Sequence, residues 1–398
     1  MKIVIKKNKE SSIFFEGRFL DTGVEIDLSF SDAYRLSRIA EISAKYDSTA
    51  YDPKLWKEKK FINFYGDIDT QSGFGNCSYY LVKESADILQ IAQTGKTYGV
   101  RDQAIFACQN RELNPAGAMV WHDQPRESWV TSPFKKNIAI VPWETTRIPE
   151  SWVARLNSFD ALFVPCKQNI ECFRDSGVKI PIELIYWGVD PKKVYPIERP
   201  ERPIFTFGHM GALSTRKGTD VLVEAFSEAF PTEQDVQLIN KTSYNTYPFN
   251  VKDKRIKVLM TPYTNEELIT QFWKEIDCFV FPTRGEGFGL TPLEAMATGV
   301  PAIVTGWSGP VDYMSDDDGW LIKHSMVAAK NFTDTVYHEE CGSWAEPSKE
   351  HLIELMRYAY NHRDEVKAKG KKASERIMRE WTWENKIKMF HEAITRHL

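Results

Sequence analysis

From Phe61 onward the chain alternates short apolar runs with segments of helical period, and this alternation limits the available folds more than any other feature. A parallel strand needs a crossover before its neighbour can form, so the rhythm is that of a parallel sheet covered by helices on both faces. Strands are expected in the first half at 61–65, 104–107, 118–121, 138–141, 161–164 and 183–185. The second half repeats the pattern at 204–207, 236–239, 256–259, 278–281, 302–304 and 319–322. Each half reads as a doubly wound α/β domain, and 398 residues suit two cores better than one.

Between the halves lie Gly188-Val189-Asp190-Pro191 and the proline-rich, charged run from Tyr195 to Pro203, which reads as an interdomain linker. Residues 1–60 form an addition with short strands expected at 2–5, 13–16 and 24–30 and a helix at about 32–44. Lys54, Lys57, Lys59 and Lys60 surround Trp56 there, but nearby acidic residues dilute the charge, which makes a solvated face. The expected domains are thus 1–60, 61–195 and 196–379, with a terminal amphipathic helix over 380–398.

The formal charge of −4 and the pI near 6.1 lack the basic excess of a dedicated nucleic-acid binder. No apolar run approaches the ~20 residues that span a bilayer, and the apolar stretch of Met1-Lys2-Ile3-Val4-Ile5 is too short for a signal peptide. Six scattered cysteines without a CxxC pair imply neither a zinc site nor a disulfide framework, and a reducing cytoplasm is the expected location. Two acidic clusters imitate a metal-binding DxD. Asp316-Asp317-Asp318 reads as a turn, whereas Asp67 and Asp69 stand at a strand end.

The chemistry concentrates in the second half. The apolar strand Cys278-Phe279-Val280-Phe281 runs into Arg284-Gly285-Glu286-Gly287-Phe288-Gly289, and a short helix from Pro292 to Thr298 follows. Strand, glycine-rich turn and helix N-terminus together cradle an anionic or heavily hydroxylated ligand. Glu286 and Glu294, eight positions apart, bracket that cradle, and carboxylates beside an anion site need hydroxyls from which to accept. A second reading of the same residues is a capping box, in which Glu294 returns to the N-cap of Thr291. Further upstream, Arg216-Lys217-Gly218 follows a strand and precedes a helix. A guanidinium forks onto phosphate oxygens and an ammonium acts as a point charge on a diphosphate.

In the setting FVFPTRGEGFGLTPLEAMATGVPAIVT, Glu286-x7-Glu294 resembles the sugar-donor signature of the retaining family-four glycosyltransferases. The likeness runs from about Phe61 to Leu398 and implies a GT-B architecture, two Rossmann-like doubly wound domains facing a central cleft. It implies transfer from a nucleotide-diphosphate sugar, UDP-linked by preference, with no obligatory cofactor and no metal. By the same resemblance, backbone groups of Phe288, Gly289, Leu290 and Thr291 hold sugar hydroxyls and the distal phosphate. Glu286 accepts from the sugar and Glu294 from the ribose, Arg216 and Lys217 take the diphosphate, Met260 lies by the base, and Lys241 lines the nucleotide wall. Many members carry an arginine where this chain has His209-Met210-Gly211, so Arg216 or His209 fills that role.

The first half is expected to bind the acceptor. Gly73-Phe74-Gly75 makes a glycine-rich turn near the phosphates; it lacks the third glycine of a dinucleotide fingerprint. Glu144, in IAIVPWETTRIPESW, stands where the resemblance often places a histidine beside the reacting centre, and His122 ends the preceding strand. The acceptor is a hydroxyl on a glycan, a lipid, a protein or a modified viral DNA base. The alternative is a non-catalytic sugar-nucleotide-binding or scaffold protein on the same fold. A phosphorylase-like enzyme would require a pyridoxal lysine setting that the sequence lacks.

Overall fold

The computed structural model describes residues 2–4, 13–15, 18–20, 25–27, 60–69, 72–100, 102–125, 134–242, 251–329 and 341–398. The helix expected at 32–44 and the cluster of Lys54, Trp56, Lys57 and Lys59 lie outside the described residues. Among the described residues before Phe61 lie four strands, β1 (Lys2–Val4), β2 (Ile13–Phe15), β3 (Arg18–Leu20) and β4 (Glu25–Asp27), paired antiparallel as β1–β4 and β2–β3.

Two compact units make up the chain: 1–141 with 158–162 and 394–398, and 142–157 with 163–393. The first sheet uses β5 (Phe61–Tyr65), β6 (Gln90–Thr94), β7 (Ala118–His122), β8 (Lys136–Ile140), β9 (Ala161–Val164) and β10 (Ile182–Leu184) in the order β10-β9-β8-β7-β5-β6. Its registered pairs β5–β6, β5–β7 and β7–β8 are parallel. Helices α1 (Gly73–Lys83), α2 (Gln103–Gln109), α3 (Glu150–Leu156) and α4 (Lys167–Asp175) connect the strands.

The segment 104–107, expected as a strand, lies inside α2. Asp102 caps that helix by accepting from the Ala104 N–H at 2.9 Å, and Ile105 and Cys108, three apart, form its buried side. The edge strand is instead β6, where Gln90 and Gln93 flank the buried Ile91 and Ala92 and hide the apolar signal.

The second sheet comprises β11 (Phe205–Met210), β12 (Val236–Lys241), β13 (Ile256–Leu259), β14 (Cys278–Phe281), β15 (Ala302–Thr305) and β16 (Gly319–Ile322), all parallel, in the order β13-β12-β11-β14-β15-β16. The strand order reverses between β11 and β14, and in such sheets ligands sit outside the carboxyl ends of the strands at that switch point. The topology therefore brings the loops after β11 and β14 together. Helices α5 (Thr219–Ala229), α6 (Asn265–Leu268), α7 (Leu290–Ala297), α8 (Lys349–Asn361), α9 (Arg363–Glu380) and α10 (Trp383–His397) follow in turn. A hairpin that the sequence reading missed, β17 (His324–Ala328) with β18 (Ser343–Pro347), stands apart from the sheet.

Phe207, Phe226 and Phe230 meet at ring distances of 5.4–6.4 Å in the core beneath β11, with Leu222, Leu238, Val280 and Ile303 around them. Truncating one such ring costs about 3–5 kcal/mol, so the strands that present the switch-point loops are firmly anchored. The proline-rich segment is also fastened to this unit. Arg199 donates to the carbonyls of Trp273, Ile276, Ile197 and Thr298, and Arg202 pairs with Glu275 and Asp277. Among the described residues no helix is long and apolar enough to cross a membrane.

Candidate active site

After β14 the backbone turns through Gly285 and Glu286 and enters α7 at Leu290, with Gly289 as the N-cap and no side-chain cap. Pro292 is the third helical residue, not the first as its sequence position suggested, and Thr291 is the second. The capping-box alternative therefore fails, since neither Thr291 nor Glu294 occupies its required place. Glu294 is partly exposed on the second turn of α7. Burial by its surroundings pushes its carboxyl up to about 7, with Lys193 opposing.

Glu286 is only 7% exposed, and one carboxylate oxygen collects most of its contacts. Its Oε1 accepts from Arg216 Nη1 at 2.9 Å, from Lys217 Nζ at 2.7 Å and from Thr283 Oγ1 at 3.0 Å. The Glu286 N–H donates to Ser308 Oγ at 3.0 Å, and Arg216 Nη1 also donates to Gly285 O at 2.8 Å. Burial by itself would raise the Glu286 carboxyl, but Lys217 and then Arg216 outweigh it and hold the group below the usual carboxylate range. Burial draws Lys217 below an ordinary lysine despite the attraction of Glu286. Arg216 loses to burial but gains more from Glu286 and Glu144, and its affinity for the proton rises.

Glu144 belongs to the same constellation. Its Oε1 lies 3.8 Å from Arg216 Nη2, and burial lifts its carboxyl, with Arg216 opposing and the Glu286 charge adding to the rise. The approach depends on Gly285. A Cβ there would collide with the Glu144 carbonyl, so no other residue lets the two loops lie this close.

At the carboxyl end of β11, His209 is fully buried and its ring Nδ1 lies 2.9 Å from Val280 O. A carbonyl only accepts, so Nδ1 carries the hydrogen and Nε2 presents a lone pair. Burial pushes the ring down to about 4, and it is uncharged near neutrality. His209 therefore does not bring the positive charge that was considered for it. Asn240, its register partner on β12, is also buried, and neither its amide atoms nor His209 Nε2 has a hydrogen-bond partner among the described residues. Lys241 is buried at the end of β12, donating to Thr242 O at 3.2 Å over the Tyr263 ring, and Met260 is exposed beyond β13. Phe288 buries its ring against Trp187 and Tyr313 and leaves its backbone to the turn.

In the first unit, Gly73-Phe74-Gly75 is the opening turn of α1 rather than a free loop, because Ser72 Oγ accepts from Gly75 N at 2.9 Å. Asp69 builds that start by accepting from Ser72, and Asp67 accepts from Lys96 N at 2.9 Å. Asp318 accepts from Ser315 N at 3.0 Å in the expected turn. His122 is buried, 2.8 Å from Ser78 Oγ through Nδ1, and burial pushes it down to about 3. Among the described residues, no group of three or more His, Cys, Asp or Glu is arranged to hold a metal ion.

Sequence reasoning missed Arg284. Its guanidinium meets Asp220 and Glu346, which are 64 and 62 positions away, so no local signal could have found the arrangement.

Residues 204–337 match the family described as Glycosyl transferases group 1. Among curated proteins, the lipopolysaccharide core biosynthesis mannosyltransferase LpsB of Rhizobium meliloti is 32% identical over 183 residues, covering 39% of this chain and 51% of its own length. The chain thus spans about half the length of that relative. Among solved structures, HepE of Anabaena in complex with UDP and glucose superposes with a TM-score of 0.62 at 13% identity, covering 85% of this chain and all (100%) of that one. Sucrose-phosphate synthase from Thermosynechococcus elongatus gives 0.61 at 14% identity, covering 85% and 99%. The fold is GT-B, in which both parallel sheets were expected from the sequence.

Proposed function

We propose, on the match of residues 204–337 to the family described as Glycosyl transferases group 1, that this chain is a family-four-type glycosyltransferase that moves a sugar from a nucleotide-diphosphate sugar to a hydroxyl acceptor with retention of configuration. One observation carries the reading: Glu286, Arg216 and Lys217 share a single oxygen at the switch point of the second sheet, with Glu294 on the helix that follows.

Cleaving the bond from the sugar carbon to the diphosphate builds negative charge on the leaving oxygens and positive character on the sugar. Arg216, Lys217 and the first N–H groups of α7 answer the former. Glu286 is ionised and fixed by three hydrogen bonds on one oxygen, so it orients sugar hydroxyls rather than attacking. The acceptor hydroxyl forms its bond to the sugar carbon from the face that the diphosphate leaves, and its proton passes to a leaving phosphate oxygen. Glu144 steadies Arg216 at the edge of this site, and Glu294 accepts from the ribose. The HepE structure contains UDP and glucose, which supports trying a UDP-sugar first.

A panel of nucleotide sugars screened by thermal shift, followed by hydrolysis without acceptor, tests the proposal. A stabilising nucleotide sugar that is slowly hydrolysed is expected. Binding without turnover under any acceptor would favour the scaffold alternative, and the absence of any stabilising nucleotide would refute the donor site.

A further inference from the structure

Arg284 uses its whole guanidinium. Its Nε and Nη2 donate to Glu346 at 2.6 and 2.7 Å, its Nη1 and Nη2 donate to Asp220 at 2.9 and 3.0 Å, and Nη1 also donates to Thr215 O. A guanidinium has five N–H donors, and each is engaged in a side chain only 5% exposed. The backbone of the same residue continues the grip, with Arg284 N donating to Arg216 O at 2.7 Å. Two successive carbonyls of the loop that carries Arg216 and Lys217 are therefore held by one residue.

The second attachment is β18. One edge of this strand pairs with β17. Along its other edge, Ser343 O accepts from Thr146 N at 2.9 Å, Ser343 N donates to Thr146 Oγ1 at 2.8 Å, and Ala345 N donates to Arg284 O at 2.9 Å. Thr146 lies two residues after Glu144, and Arg284 two before Glu286. The strand thus holds the loops of both carboxylates, and its Glu346 orients the arginine that holds the two cations.

We infer that Arg284, with β18 behind it, is the positioning residue of the anion site: it touches no reacting group but fixes where Arg216 and Lys217 present their charge. The inference rests on the donor-site reading above. A misplaced charge loses its value steeply, because preorganised electrostatics acts through geometry fixed before the ligand arrives. Lysine cannot replace this fork, since a point charge reaches neither both carboxylates in bidentate fashion nor the Thr215 carbonyl as well.

Arg284→Lys, Lys217→Ala and the double variant would be titrated calorimetrically with UDP and with GDP, with circular dichroism and cooperative melting as the check on folding. The expected result is a loss of about tenfold or more for Arg284→Lys in a folded protein, and a clearly smaller further loss when it is added to Lys217→Ala, because only the Arg216 charge is then left to misplace. Additive losses in the double variant would overturn the inference, since they would mean that Arg284 does not act through the loop. Unchanged affinity in Arg284→Lys would also overturn it while leaving the donor site standing. Wild-type protein that binds neither nucleotide would remove the donor site and the inference together. If Arg284→Lys fails to fold, Glu346→Gln serves in its place, because it keeps the Arg284–Asp220 pair and weakens only the attachment to β18.

Discussion

Replacing Glu294 by glutamine should make the protein more stable and a poorer nucleotide binder at once. The carboxyl sits at about 7 in the folded protein, against 4.5 for an ordinary glutamate, so folding holds a proton that the unfolded chain releases. The sign follows from that order. The penalty is absent below pH 4.5, grows as pH rises toward 7, and is complete above it. At ~1.4 kcal/mol for each pH unit of that interval, the ceiling is about 3 kcal/mol. Water reaches the partly exposed side chain, and screening reduces the figure to roughly 1–2 kcal/mol. For a unit of this size that is a rise in melting temperature of roughly 2–8 °C at pH 8, shrinking toward zero below pH 5. On the proposed donor site the same substitution removes a charged acceptor for ribose hydroxyls, worth roughly 1.5–3 kcal/mol, or about ten- to a hundredfold in affinity. Melting curves at pH 5 and pH 8, with and without UDP, read both quantities. A variant less stable than wild type at pH 8 would refute the burial argument. A stabilised variant with unchanged affinity would remove Glu294 from the ligand.

Lys217→Ala should lower nucleotide affinity and turnover together by tenfold or more, and steady-state kinetics unchanged from wild type would remove Lys217 from the diphosphate site. Glu286→Gln should lower kcat more than it raises KM. Because the Glu286 carboxyl is held below its usual range, its contribution to stability is present above pH 4.5 and is lost as pH falls further, so the melting temperatures of variant and wild type should differ at pH 7 and draw together as the pH is lowered below 4.5. Gly218 caps α5 at φ +66, and a Cβ there would strike the Pro282 carbonyl. Gly218→Ala should cost more than ~2 kcal/mol and weaken nucleotide binding, and a wild-type melting curve would show that this loop tolerates displacement.

What could be read in advance was local. From β14 through the glycine turn to α7 the chain is contiguous, so spacing alone located the strand, turn and helix between Cys278 and Ala297. The adjacency of the Arg216 loop and the Glu286 loop was legible only through the family resemblance, because β11 and β14 are direct neighbours in the sheet but two other strands separate them in sequence. The edge strand β6 and the helix α2 were exchanged because the flanking Gln90 and Gln93 conceal one and a run of apolar residues imitates a strand in the other. The start of α7 shifted because Gly289, rather than a side chain, caps it.

The largest difference lies in how the charges are shared. The family resemblance implies that Glu286 accepts from sugar hydroxyls while Arg216 and Lys217 take the diphosphate. In the folded protein a single oxygen of Glu286 binds both cations. A diphosphate that approaches them must therefore share them with Glu286 or draw them from it, and every charge it takes over frees the Glu286 carboxylate to accept from the sugar. On the proposed donor reading, phosphate binding and sugar orientation are then one event, not two. Substitutions at Arg216, Lys217 and Glu286 should consequently combine less than additively in a double-mutant cycle, and strictly additive losses would show that the three side chains act on the ligand independently.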